Sequence, residues 1–377
     1  MGNAWELLLE KGQDPDLPAR IRDWKGQGKK VIGWLCRYVP TELIQAAGMI
    51  PLRILGDRAE EHAMGDAYLS VISCPFCRSV IDGALQGMYQ DLDGVVSTNS
   101  CCSMNRLMDV WAHYLRPPLF CLLDLPYQGT PIAVQTFRGE LERLKQALGG
   151  LRGKEISEDE LQKAMRVSER SRQLLGELYE LRKDPDCPIP GHEVLAVVLA
   201  GMTLPPQEYN FSLEKALEEV RSEGFCSRPP GLPRVLISGS ILLDPRYLKA
   251  IEDQGAQVVA DDLCTGSRFW SFQLDLSKEP LEALSAAYLN SVPCARMIDR
   301  SERIDHIIRM VEDYRVDGVI YSVLKFCQTY QYDYPHLEAA LKKRGIPLLR
   351  LEREQHFSGA GQLKTRVQAF LEMISLG

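Results

Sequence analysis

The chain has 377 residues, 45% of them hydrophobic and 25% charged, a globular composition with more chain than one ordinary core needs, so two domains are expected. A net charge of −7 without any basic run speaks against a nucleic-acid surface. The longest apolar stretch, about Val194 to Leu204, is too short to cross a bilayer, and the opening Met-Gly-Asn-Ala-Trp-Glu lacks the basic-then-apolar order of a secretory signal. A cytoplasmic location with no membrane partner is therefore expected.

In chain order, Lys29–Leu35 reads as a buried strand. Thr41–Ala47 follows as a helix, with Thr41 as its N-cap and Gly48 as its stop. Pro51–Leu55 reads as a strand, Pro75–Tyr89 as a helix, Asp93–Ser97 as a strand, Ser103–Leu115 as a helix and Pro118–Leu125 as a strand. From Gly129 to Gly224 the pattern is mostly helical. Ser157 to Glu160 forms a capping box, and the prolines at 185, 188 and 190 break the long helix that it starts. A linker runs from Ser227 to Gly231.

The second half repeats the alternation. Strands are predicted at Arg234–Ser238, Gln257–Asp261, Asp317–Ser322 and Pro347–Leu351. Helices are predicted at Pro245–Gln254, Glu279–Leu289, Ser301–Tyr314, Tyr334–Arg344 and Leu363–Ile374. Alternating strands and helices predict an α/β fold, two doubly wound parallel-sheet domains with an inserted helical region. The expected divisions are 1–150, 151–230 and 231–377. Asp93-Gly94-Val95-Val96 before Cys101 is echoed by Asp317-Gly318-Val319-Ile320 before Cys327, which reads as a duplicated unit or as convergent βαβ chemistry.

Eleven cysteines need an account. Disulfides are not expected in a cytoplasmic protein, and an odd count cannot pair completely. Cys121, Cys187 and Cys226 read as small core residues. Cys74, Cys101 and Cys327 lie at strand ends or helix starts, where open α/β sheets bind ligands. Widely separated in sequence, they suggest a buried iron–sulfur cluster rather than a zinc finger. The Cys74-Pro75-Phe76-Cys77 motif alone is a weak signal, either a redox dithiol or a helix cap over a buried Cys77. Cys74, placed before a proline at the first helical position, aims its sulfur at the helix N-terminus, which favours thiolate. Of Cys101 and Cys102, at most one is expected to face the site.

Asp261-Asp262-Leu263-Cys264-Thr265-Gly266-Ser267-Arg268 reads as a polar strand-end loop or as an interdomain salt-bridge cluster. Ser358 to Thr365 is either a phosphate-holding turn or a plain strand-to-helix turn. Neither GxxxxGK[ST] nor GxGxxG occurs, so ATP and NAD binding gain no support. A zinc hydrolase lacks HExxH among only six histidines.

Five segments together resemble the 2-hydroxyacyl-CoA dehydratase and benzoyl-CoA reductase family. They are Gly33 to Gly48, Cys74-Pro75-Phe76 with Arg78, Cys101 with Arg106, Asp261 to Arg268, and Gly318 to Tyr334 followed by Gly345-Ile346-Pro347 and Gly361 to Arg366. The resemblance implies a 4Fe–4S cluster held by Cys74, Cys101 and Cys327, with one iron free of protein ligands. Cys102 stands where the family often has Asp. It also implies a dimer with a homologous second subunit, an ATP-dependent iron–sulfur activator protein as electron donor, and an acyl-CoA substrate whose thioester carbonyl accepts one electron. Arg78 and Arg106 become candidates to steady the thiolates or the acyl-CoA. One branch of the family carries a double-cubane, 8Fe cluster in a homodimer and reduces small molecules. For that branch Cys36, Cys264 and Cys294 are the further ligand candidates. A non-catalytic partner or cluster-carrying maturation protein is the remaining alternative.

Overall fold

The computed structural model describes residues 3–13, 16–56, 64–185, 189–223, 231–357 and 359–375. Cys187, Cys226, most of the expected linker after Ser227, and Ser358 lie outside these. Two four-stranded sheets organise the chain. The first contains β1 (Val31–Trp34), β2 (Ile50–Arg53), β3 (Gly94–Thr98) and β4 (Leu119–Leu123), in the order β2-β1-β3-β4. The second contains β5 (Arg234–Gly239), β6 (Gln257–Asp262), β7 (Gly318–Leu324) and β8 (Leu348–Arg353), in the order β6-β5-β7-β8. Every neighbouring pair is parallel, as expected of an α/β fold.

The strands are short apolar runs covered on both faces, which is why β1, β3, β5 and β7 are buried along their whole length. Helices Pro131–Arg152, Glu158–Leu181, Gly191–Thr203 and Pro206–Glu223 fill the region between the two sheets in sequence. The capping box forms: Ser157 accepts from the Glu160 amide, and Glu160 accepts from the Ser157 amide. Arg152 and the Ser157 contacts hold the Glu160 carboxyl down at about 2.

Several expectations need correction. Helix Thr41–Ala46 is capped at Pro40, and Thr41 is already its first helical residue. The helix expected from Tyr334 begins at Gln328, and Pro335 lies inside it. A proline commonly marks a helix start, but here the turn before it is anchored by Cys327. Helix Pro75–Leu85 stops short of Tyr89. The helix after Cys101 ends at Val110 and widens into a π-turn, Trp111–Leu115. Two unanticipated helices, Asn3–Gly12 and Leu17–Gly26, precede β1, the second capped by the Asp16 carboxylate on the Ala19 amide.

The two lobes are docked through buried polar contacts. Arg37 donates to the Val292 carbonyl (2.9 Å) and Ser291 Oγ (2.7 Å). Arg296 donates to the carbonyls of Leu125 and Pro126. Fully buried Glu42 accepts from Tyr288 Oη (2.8 Å) and pairs with Arg172 at 2.5 Å.

Candidate cofactor site

The carboxyl ends of both sheets open onto one cleft. Cys36, Cys74, Cys77 and Cys101 line it from the first lobe, and Cys264, Cys294 and Cys327 from the second. All six sequence-derived cysteine candidates are therefore in one place, together with Cys77. The spacing that joins Cys77 to the site is legible in hindsight: an N-cap residue and the residue three later share one side of the first helical turn. Cys102 is exposed, so Cys101 is the one of that pair that faces the cleft. Cys121 is buried, away from the cleft lining, and touches Arg143.

Helix geometry aims three of the thiols. Cys74, Cys101 and Cys327 are the N-caps of Pro75–Leu85, Cys102–Val110 and Gln328–Lys342. Three positive helix ends thus meet at the cleft. Cys74 is held well below the ordinary thiol range, first by hydrogen bonds from Cys327 and Cys77, against its burial, with help from the Phe76 and Cys77 amides. Those two partners are pushed well up, first by the same bonds and then by burial. Burial pushes Cys101 up to about 12, opposed by the Met104 amide.

The backbone is strained at the same place. Among the described residues four non-glycines have positive φ, and two of them are Cys36 (72°) and Phe326 (58°), the latter directly before Cys327. Left-handed backbone at a β-carbon-bearing residue persists where the surroundings enforce it, and it clusters at functional sites.

The other trio sits in a cationic frame. Burial raises Cys264 against the pull of Arg268 and Arg53. Burial also acts on Cys294, but Arg268, the Arg296 amide, Tyr330 and Arg303 outweigh it and lower its pKa. Arg268 donates to Tyr330 Oη (2.6 Å), which lies 3.7 Å from Cys294 Sγ. Tyr38 Oη accepts from the Cys294 amide at 3.1 Å. Arg37, Arg53 and Arg296 line the cleft, and no carboxylate does so among the described residues.

The Asp261–Arg268 loop frames this trio from behind. Asp262, fully buried, pairs with Arg268 Nε at 3.0 Å and Arg303 Nη2 at 2.7 Å. Asp261 accepts from Tyr179 Oη at 2.5 Å and from the Ser267 amide at 2.7 Å. Both carboxylates are thus partnered. Arg78 and Arg106 do not line the cleft: Arg78 pairs with Asp66, and exposed Arg106 pairs with Asp109 at 2.9 Å. The Gly359 turn has φ 67° and leads directly into helix Ala360–Ser375. Among the described residues no group of three or more His, Cys, Asp or Glu is arranged to hold a metal ion, and no helix is long and apolar enough to cross a membrane.

Comparison with known proteins adds an independent line. The chain is 27% identical to a subunit of the benzoyl-CoA reductase of Thauera aromatica, over 97% of this chain and 96% of that one. It is 26% identical to the beta subunit of the (R)-2-hydroxyglutaryl-CoA dehydratase of Acidaminococcus fermentans, over 98% and 100%. With the (R)-phenyllactyl-CoA dehydratase beta subunit of Clostridium sporogenes it shares 24% identity, over 92% of each. The profile of the family described as 2-hydroxyglutaryl-CoA dehydratase, D-component, matches residues 36–374, from the first cleft cysteine to the last helix. This chain therefore belongs to the 2-hydroxyglutaryl-CoA dehydratase D-component family, the group of 2-hydroxyacyl-CoA dehydratase and benzoyl-CoA reductase subunits.

Proposed function

We propose that the cleft binds an iron–sulfur cluster and that the chain is the electron-delivering subunit of an enzyme acting on a CoA thioester, with Cys74, Cys101 and Cys327 as cluster ligands. The single observation that carries this reading is the donor set: seven thiols and three arginines around one cleft, with no carboxylate among the described residues that line it. Soft thiolates select iron–sulfur clusters, and donors spread along the walls suit a polynuclear group better than a lone ion. When bound, such a cluster supplies single electrons at low potential. The helix ends direct partial positive charge at the sulfurs of Cys74, Cys101 and Cys327, and Cys74 is the one held below the ordinary thiol range, since burial at Cys101 and the bond to Cys74 at Cys327 outweigh it. Cys74 is buried, and Cys101 and Cys327 are half-buried. Arg268 fixes the Tyr330 phenol so that its hydrogen is free for Cys294 Sγ.

The names of the relatives favour a CoA thioester as electron acceptor and a second subunit, and the family resemblance implies that this subunit is homologous and that a separate ATP-dependent iron–sulfur activator supplies the electron. A second reading is favoured by the opposite wall. Cys36, Cys264 and Cys294 would be idle around a single cubane, whereas two bridged cubanes use six thiolates. On that reading the chain pairs with its own copy and reduces small molecules, and the thiol count favours this larger cluster. Iron and sulfide content with EPR on anaerobically purified protein separates the two: about four irons per chain for one cubane and about eight for two. Iron-free protein would refute both and favour a non-catalytic scaffold.

A further inference from the structure

Arg53 closes β2 at its carboxyl end and is only 3% exposed. Its guanidinium stacks on Trp34, 4.6 Å from the ring centroid. Two of its nitrogens, Nε and Nη1, are buried and meet no acceptor. The other cleft arginines differ: Arg37 and Arg296 direct N–H groups at backbone carbonyls across the lobe interface. Deeper arginines are paired as well, Arg268 and Arg303 with Asp262 and Arg172 with Glu42. A guanidinium stays charged in every state of the protein, and an uncompensated buried charge is strongly destabilising. The groups whose charge Arg53 senses are Cys264 and Cys36, on the walls of the cleft.

We propose that Arg53 is a positioning residue for the anionic occupant of the cleft, its fixed buried charge offsetting the negative charge of that group beside Cys36 and Cys264. The inference rests on the iron–sulfur reading and adds a role that the cysteines do not supply. A fixed positive charge stabilises the more negative, reduced form, so Arg53 raises the reduction potential.

The test compares anaerobically purified wild type with R53M, R53Q and R53K by iron content, melting temperature and EPR-monitored redox titration. Either neutral variant that folds decides the matter. The expected result is a tenfold fall in the reduced-to-oxidised ratio at a fixed applied potential, a downward shift of about 59 mV for one electron, with partial recovery in R53K. Loss of iron from R53M and R53Q with retention in R53K supports the role equally. A folded neutral variant with wild-type iron and an unmoved potential overturns it, even if its melting temperature falls, because loss of the Trp34 stack alone predicts that pattern. Iron-free wild type would refute the cofactor itself.

Discussion

Neutralising Asp262 tests the electrostatic frame behind Cys294. Asp262 and Arg268 are fully buried and Arg303 is 1% exposed. In D262N, Arg303 keeps Asp333, to which its Nη1 donates. Among the described residues Arg268 has no second carboxylate: its remaining acceptors are the Gly239 and Asp262 carbonyls and Tyr330 Oη. Removing one partner of a buried pair costs about 3–5 kcal/mol. Asparagine keeps one carbonyl acceptor, so about 3 kcal/mol is expected. Urea denaturation of wild type, D262N, R268M and the double variant measures it, and a coupling above about 1 kcal/mol is expected between two residues in direct contact. The pH dependence has a definite sign. Burial raises the Asp262 pKa, but Arg268 and Arg303 outweigh it, so the folded value lies below the ordinary one. The contribution is therefore complete above the unfolded pKa of about 3.9 and fades as pH falls through the folded value. The gap between wild type and D262N should persist at neutral pH and close in acid. A D262N protein within about 1 kcal/mol of wild type at neutral pH, or strictly additive single variants, would refute the argument.

Substituting Cys74, Cys101 or Cys327 by Ala should remove most of the iron from anaerobically purified protein, whereas C102A and C121A should keep it; equal iron in all five would defeat the ligand assignment. Gly239 has φ 134°, and a Cβ there would lie 2.0 Å from the Ser322 carbonyl oxygen. G239A should thus cost on the order of 3 kcal/mol and lower the melting temperature, because strain and a backbone clash add. S157A removes the acceptor for the Glu160 amide and should cost about 1 kcal/mol, read as a small shift of the thermal midpoint.

The fold is legible in the sequence because its signals are local and redundant. Short apolar runs, Gly stops and Pro starts place β1 to β8 to within a few residues of where they lie. The six cysteine candidates are legible for a related reason: strand ends in such sheets are where ligands bind. What escapes is what depends on three-dimensional convergence. Arg53 reads in sequence as the middle of an ordinary strand, Pro51–Leu55, and in the structure it ends that strand at Ile50–Arg53. Nothing local says that its charge is unpaired. Tyr330 lies before the helix expected from Tyr334, and its link to Cys294 is made in three dimensions, with Arg268, remote in sequence, donating to its Oη. Cys77 hides for a different reason, since a single CxxC has several common structural explanations and a buried cap residue is one of them.

The topology explains why thiols so far apart in sequence meet. Both sheets have the same order, so β1 corresponds to β5 and β3 to β7. The correspondence extends to single contacts. Asp93 Oδ2 accepts from the Val31 amide at 2.8 Å, and Asp317 Oδ2 accepts from the Arg234 amide at 2.7 Å. The repeated Asp-Gly-Val motif is thus one structural device used twice, locking the start of each central strand pair. In each sheet the strand order reverses between those central strands, and the crevice beyond their carboxyl ends is where ligands bind. Cys36 and Cys101 lie at the first reversal and Cys327 at the second, and both open onto one cleft. Under the proposed function neither lobe holds a complete ligand trio. Cys74 and Cys101 need Cys327 from the second lobe, while Cys264 and Cys294 need Cys36 from the first. Under the proposed function a cluster of either size therefore ties the lobes together, and its binding free energy stabilises their docking. Removing iron should lower the melting temperature of the whole chain, and loosening the lobe contacts at Arg37 or Arg296 should in turn weaken iron retention without touching a single thiol.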